Sequence, residues 1–257
     1  MKTTFRKTML AAAALLICQA ASASASPSFV AVTWNDQAVH LLDSGMNDLS
    51  SFQVNNSLPN GVAASSSLIY AGNFTTQSIS AYNFSGALQF SWSDSRLSNL
   101  QGLALVGNDL VVASNGNSYF FDAATGAYHR QFSNSGDTVE GLTYDGKYLW
   151  EIGDTLIARD VNTGAQVASI SNAAIGCDFG GTGMAGAGSG ALMLACTSGQ
   201  WYKVSSADGS VLSSGNNGLN MYGLDSIAAV PEPESYAMLL AGVGLIGCLA
   251  RRRRHAA

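Results

Sequence analysis

Positive charge is what this sequence has least of. Of 257 residues only 12 are Lys or Arg, against 17 Asp or Glu, and charged residues of both signs make up 11%. Seven of the 12 sit at the two ends: Lys2, Arg6 and Lys7 at one, Arg251, Arg252, Arg253 and Arg254 at the other. Between 26 and 230 there remain Arg96, Arg130, Lys147, Arg159 and Lys203, facing fifteen acids for a net charge of −10. A body so acidic repels polyanions, which excludes nucleic acid as a partner and suits a wet extracellular setting. The G-x-S-x-G elbow, the P-loop and any His-rich metal motif are missing as well. Their absence removes the enzyme classes they announce and leaves carboxylate chemistry open.

The basic ends flank apolar segments. At the N-terminus Lys2, Arg6 and Lys7 precede MLAAAALLICQA at 9–20 and the small-residue tract ASASAS at 21–26, the pattern of a Sec-type signal peptide over 1–25. Cleavage by signal peptidase is expected after Ala23 or Ala25, on the far side of the Sec translocon. Cys18 follows Ile17, not the small residue a lipidated cysteine requires. At the other end Val230-Pro231-Glu232-Pro233 leads into a fifteen-residue apolar run from Tyr236 to Ala250 and then the four arginines. That run is shorter than the roughly 17–25 residues of a spanning helix. Snorkelling arginines extend a short span, so a transmembrane helix at 236–250 with its basic end in the cytoplasm is expected within a sorting segment of 231–257.

This tail resembles the PEP-CTERM sorting signal of Gram-negative bacteria. The resemblance implies recognition by an exosortase, transient anchoring in the membrane, and delivery to the cell surface or an extracellular matrix where exopolysaccharide is a neighbour. It covers about a tenth of the chain and speaks of address, not of activity.

The body at 26–230 is organised by a repeat. Gly followed by an apolar residue recurs at Gly61, Gly102, Gly141, Gly183 and Gly223, with spacings of 41, 39, 42 and 40. Each of the four units so begun holds four short β-type runs, such as GLALV, LVVAS, SYFFD and AYHRQF, separated by turn chemistry. A period near forty with four strands per unit is the signature of a β-propeller blade. The fifth unit, GLDSIAAV at 223–230, supplies one strand only; FVAVT, AVHLLD and LSSFQV at 29–54 supply its missing partners. The expected fold is therefore all-β, a five-bladed propeller closed by strands from both termini. A β-sandwich would not require a glycine at a fixed offset in every unit, and a β-helix would need coils nearer 20 residues. The repeated Asp-x-x-Thr-Gly at 122–126 and 160–164 reads as hairpin punctuation in preference to a ligand site.

In such a fold the residue before each marker glycine faces the channel mouth. The five are Asn60, Gln101, Glu140, Thr182 and Tyr222, all polar, and they form the candidate ligand-binding set. The blade start Pro59-Asn60-Gly61-Val62-Ala63 with Leu68-Ile69-Tyr70-Ala71 looks like blades of the NHL and SMP-30-like propellers. That likeness implies a divalent cation, calcium being the candidate, held by Asn60 and Glu140, with Asp137, Asp178 and Asp225 close enough in sequence to join. Against it, one carboxylate among amides is a thin set for a hard cation, and polar groups at a mouth also serve to hydrate a channel. Neighbouring loops, Trp34-Asn35-Asp36-Gln37 among them, carry the amides, hydroxyls and aromatic faces that polysaccharide recognition uses.

Cys18 leaves with the leader and Cys248 lies in the tail, so Cys177 and Cys196 remain as a candidate disulfide of an exported protein. A thiol nucleophile would want a histidine, and His40 and His129 belong to other repeats. Three functions stay open: a binder of polysaccharide or another surface component, a propeller-type hydrolase or lyase with Glu140 as base, and a structural spacer. In each, the closing strand runs from mouth to opposite face, so the tail is expected to leave away from the site.

Overall fold

The computed structural model describes residues 26–54, 58–134, 139–153, 155–171, 183–188 and 190–227. The leader, the sorting tail, Cys177 and Thr182 lie outside the described residues. Among the described residues twenty strands form five antiparallel four-stranded sheets. The second blade runs β4 (Pro59–Ala64), β5 (Ile69–Asn73), β6 (Ser78–Tyr82) and β7 (Leu88–Ser93), from the axis outward. The third repeats this with β8 (Leu100–Val106), β9 (Asp109–Ser114), β10 (Asn117–Asp122) and β11 (Tyr128–Ser133). The fourth has β12 (Gly141–Tyr144), β13 (Tyr148–Ile152), β14 (Thr155–Asp160) and β15 (Gln166–Ser171). The fifth has β16 (Gly183–Gly186), β17 (Ala191–Ala195), β18 (Gln200–Ser205) and β19 (Val211–Asn216).

The remaining sheet joins the two ends of the chain. Its order is β20-β1-β2-β3, with β1 (Phe29–Thr33), β2 (Ala38–Leu42) and β3 (Asp48–Gln53) carried outward from the innermost strand β20 (Met221–Ser226). Antiparallel pairing of Phe29 with Ser226 and of Ala31 with Leu224 closes the ring. The five-bladed propeller expected from the glycine spacing is the fold. The closing strand ends at Ser226, short of the Val230 suggested by the sequence.

The marker glycines are required by crowding at the axis. A Cβ on Gly61 would lie 2.2 Å from the Gln101 carbonyl oxygen of β8, and one on Gly102 would lie 2.6 Å from the Leu142 nitrogen of β12. One on Gly183 would meet the Leu224 nitrogen at 2.7 Å, and one on Gly223 the Gly61 Cα at 2.8 Å. At these four positions backbone packs on backbone, and no Cβ fits between the neighbouring innermost strands.

Around the perimeter a second contact repeats. Phe52, Trp92, Phe132 and Ile170, each on an outermost strand, lie against Gly86, Gly126, Gly164 and Gly209 in the hairpin turns of the next blade. The Asp-x-x-Thr-Gly motif is part of this device. Asp122 accepts hydrogen bonds from the Thr125 amide at 2.8 Å and hydroxyl at 2.7 Å, and Asp160 repeats the pattern with Thr163. Gly126 and Gly164 then turn with φ near +73°. At the closing seam the polarity reverses: Gly215 stands at the outer-strand position and Met46 in the turn. Met46, at φ 65° and 1% exposed, packs in one cluster with Met193, Met221 and Trp201. Every outermost strand also begins with a register shift, as where Leu41 pairs with Ser50 but Leu42 with Asp48. Such bulges twist an exposed edge away from pairing with another chain.

Gly102→Ala is expected to lower stability by about 3 kcal/mol, since overpacking against fixed backbone has no relaxed alternative. Gly107→Ala, where a Cβ meets nothing within 4 Å, is the comparison, with about 1 kcal/mol lost to its positive φ. Urea unfolding of the two variants checks the difference.

Candidate ligand-binding face

The innermost strands all run from one face, the mouth, to the other, the exit face. At the mouth the residues before Gly61, Gly102 and Gly223 are thrown out of register by β-bulges. Pro59 pairs with Asn73 but Val62 with Ala71, and Leu100 with Ser114 but Leu103 with Val112, so Asn60-Gly61 and Gln101-Gly102 each carry an extra residue. Between Val32 and Thr33 the same shift falls at Tyr222. The Glu140 amide donates to the Ile152 carbonyl at 2.8 Å although Gly141 is the residue paired with Ile152. A bulge re-aims a side chain that a regular strand would turn into the sheet.

The structure brings two of the five predicted residues directly together. The Asn60 amide nitrogen donates to Gln101 Oε1 at 2.8 Å and to the Leu100 carbonyl at 3.0 Å, and Asn60 is only 4% exposed. Asn60 therefore braces two innermost strands, and Gln101 presents the more accessible amide. Tyr222 stacks on Trp34 with ring centroids 4.0 Å apart and planes 3° from parallel; Phe74 tilts against the same indole at 6.1 Å. These three half-buried rings, from β20 and the mouth turns after β1 and β5, were not joined by any sequence motif. Glu140 is half-buried, and Thr182 lies outside the described residues. Cys196, at the start of the mouth turn after β17, is disulfide-bonded; its partner lies outside the described residues.

Asp225 does not join the mouth. It sits in the exit half of the channel, 6% exposed, accepting from the Ala64 amide at 2.9 Å, the Ser226 amide at 2.9 Å and the Thr143 hydroxyl at 3.5 Å. The Thr143 oxygen in turn accepts from the Gly186 amide at 3.0 Å, so one carboxyl ties β20 to β4, β12 and β16. Burial pushes its pKa up to about 7, outweighing the three hydrogen bonds that favour the ionised form. Two cavities open on the exit face. One of about 190 Å³ is lined by Tyr144, Asp145 and Ser226; the other, about 460 Å³, by Phe29, Trp201, Lys203 and Ile227 among others.

A further buried charge pair was not anticipated. Arg159 Nε donates to Glu151 Oε2 at 2.6 Å, both side chains no more than 3% exposed, and Arg159 also donates to the Asn134 and Gly164 carbonyls. Ser118, in the third blade, donates to Asn134 Oδ1 at 3.1 Å and contacts Glu151 Oε1 at 3.4 Å. This network pins the third blade to the fourth and stands away from the mouth. The run GTGMAG at 181–186 has the G-x-G-x-x-G spacing of dinucleotide sites. Gly183–Gly186 is a strand, however, so no helix N-terminus follows to receive a pyrophosphate. Among the described residues no group of three His, Cys, Asp or Glu could hold a metal ion, and no helix is long and apolar enough to cross a membrane.

Residues 229–254 match the PEP-CTERM protein-sorting motif. The chain ends in an exosortase sorting signal. PEP-CTERM sorting makes it an exported, cell-surface protein, and its propeller is the exported body. No curated protein matches it in sequence. Among solved structures, a Bacteroides caccae protein of unknown function is 10% identical with a TM-score of 0.55, covering 79% of this chain and 100% of its own. RRP9 WD40 repeats are 14% identical with a TM-score of 0.49, covering 74% and 64%. Myxococcus xanthus glutaminyl cyclase is 16% identical with a TM-score of 0.49, covering 67% and 72%. Identities this low speak of fold alone.

The PEP-CTERM body should lose stability as pH rises. Below about pH 4 Asp225 is protonated folded or unfolded; between there and about pH 7 only the folded form keeps the proton, so stability falls across this window and then levels. The drop is on the order of a few kcal/mol. Asp122, Asp160, Asp208 and Asp43, held below the usual carboxylate range by turn hydrogen bonds, act oppositely and lose their contribution only in stronger acid. Chemical denaturation of Asp225→Asn should show the decline between about pH 4 and pH 7 abolished.

Proposed function

We propose that this exported protein is a binding module of the cell surface or extracellular matrix, and that its propeller mouth takes polysaccharide. The observation that carries the reading is the aromatic cluster of Trp34, Tyr222 and Phe74 at the mouth, the face to which β8 brings the Gln101 amide. Sugar rings present one apolar face and a rim of hydroxyls. Half-buried aromatic rings and amides that both donate and accept match these two surfaces. The sorting tail adds company, since exopolysaccharide is the material that an exosortase-handled protein is released among.

Glu140 and Thr182 belong to this proposed mouth as polar contacts. We also take Cys177 as the partner of Cys196, a bridge that would staple the segment at 171–182 to the mouth turn after β17. Less supports the NHL or SMP-30-like lineage with a catalytic cation on Asn60 and Glu140. Asn60 is 4% exposed with its side chain serving as a brace between β4 and β8, and Asp225 is spent on the exit half of the channel. A glycosidase would in addition need a second carboxyl across the mouth from Glu140.

The test is titration of the purified exported protein with the producing cell's exopolysaccharide and with neutral glucan oligosaccharides. Trp34→Ala should weaken binding about tenfold, since a lost ring contact is worth about 1–1.5 kcal/mol, with melting little changed. Equal binding by Trp34→Ala and the parent would remove the mouth from consideration, and no binding of any glycan would overturn the reading.

A further inference from the structure

The mouth turn that carries Trp34 is held from beneath by a histidine with an acid on each side. His40 on β2 is 4% exposed; its Nε2 lies 3.1 Å from Asp36 Oδ2 and its Nδ1 2.8 Å from Asp48 Oδ2. Asp36 belongs to the mouth turn between β1 and β2, two residues beyond Trp34, and also accepts from the Thr33 hydroxyl. Asp48 opens β3 at the exit end of the same blade. These carboxylates are the charged groups facing the ring, while β1 presents Ala31 and Thr33 to β2 at this level. The side chain of Asp36 is 48% exposed and that of Asp48 38%, so water competes for both acids and the buried ring decides whether they stay engaged.

An ionised carboxylate accepts hydrogen bonds and cannot donate them. A neutral imidazole has one donor and one acceptor, so it can satisfy only one of two flanking carboxylates. Both contacts here are within hydrogen-bond distance, the geometry that an imidazolium, a double donor, satisfies at both carboxylates. We propose that His40 is a positioning residue and a proton-operated clamp: its charged form fixes the Asp36 turn and with it the Trp34 ring against Tyr222, and its neutral form releases the turn.

The clamp deepens the polysaccharide reading and rests on it only for its consequence, which is that the mouth is ordered for ligand while the His40 ring donates to both carboxylates and loosened once it gives up one of its two protons. The linkage runs both ways: a ligand that needs the ordered turn raises the affinity of His40 for its proton.

The experiment is amide hydrogen exchange of peptides spanning 33–40 in the ligand-free exported protein, between about pH 5 and pH 9 and corrected for the intrinsic pH dependence of exchange. Alongside it, a nitrogen-15 imidazole spectrum of histidine-labelled protein reads the ring directly. Expected is protection of the turn that falls at least fivefold on the alkaline side, in step with loss of the second ring proton of His40. His40→Gln should show the low protection at every pH. Asp48→Asn is the decisive variant: its amide donates to Nδ1 while Nε2–H donates to Asp36, so a neutral ring keeps both bonds and the alkaline fall should vanish. Asp225→Asn, distant in the exit half, should leave the profile of this turn as in the parent.

Protection that is flat with pH in the parent, or an alkaline fall that persists in Asp48→Asn, overturns the clamp. Glycan titration of the same samples separates the two readings: a gated turn with no glycan binding leaves the clamp standing and removes the polysaccharide.

Discussion

Everything in this molecule hangs on how closely five strands can approach one axis. The innermost strands touch through backbone at Gly61, Gly102, Gly183 and Gly223, where an added Cβ would fall within 2.2–2.8 Å of a neighbouring main-chain atom. That approach leaves no space for a Cβ at these glycines, and Asn60, Gln101 and Tyr222 just before three of them fall in bulges. The bulges are what expose Gln101 and Tyr222 to the mouth while Asn60 turns inward as a brace. A candidate site built this way is a by-product of closure. Its polar groups stand where the ring would otherwise have uncapped strand starts, and its aromatic cluster forms because the first mouth turn of the chain lands beside the last strand.

The polar groups inside the propeller divide the labour by depth and by blade. Asp225 ties four innermost strands together in the exit half and carries a carboxyl whose pKa is about 7. The Glu151–Arg159 pair locks the third and fourth blades, fully enclosed and supported by carbonyls. His40 does neither; it couples a mouth turn to an outer strand of the seam blade. Buried ions of this kind add little net stability against a hydrophobic replacement, and specificity of arrangement is the use best attested for them. In a propeller whose blades are alike in sequence and could slide or mispair, such unlike polar ties distinguish one blade from the next.

The last described residue lies on the exit face. Ile227 follows β20 and borders the larger cavity there, and the sorting motif begins two residues later in the sequence. In the seam blade the strand that closes the ring is thus also the last described strand before that motif. Where the fifth blade meets the first, Met46 replaces the turn glycine and packs with Met193, Met221 and Trp201, so this joint has its own packing.

Local chemistry made the blades legible in the sequence. Gly61, Gly102, Gly183 and Gly223 recur because each meets the same steric limit at the axis, and Asp122 and Asp160 recur because their outer hairpins use the same turn. The tail was legible too, since Pro231-Glu232-Pro233, an apolar run and Arg251 to Arg254 act through order along the chain and need no fold. What depended on partners far apart was not. Trp34 and Tyr222 stack only because the ends of the chain share a blade; Asp225, grouped with the mouth by sequence proximity, is carried by its strand to the opposite half. His40 with Asp36 and Asp48 lies within nine residues of its partners, yet no spacing rule shows that a hairpin will place one buried ring between two carboxylates. The sequence by itself determined the repeat, the closure and the address, each set by neighbours in the chain or by a constraint that recurs among the blades. Only the tertiary structure decided which polar side chains meet, because bulges and ring closure choose the partners and neither leaves a periodic mark.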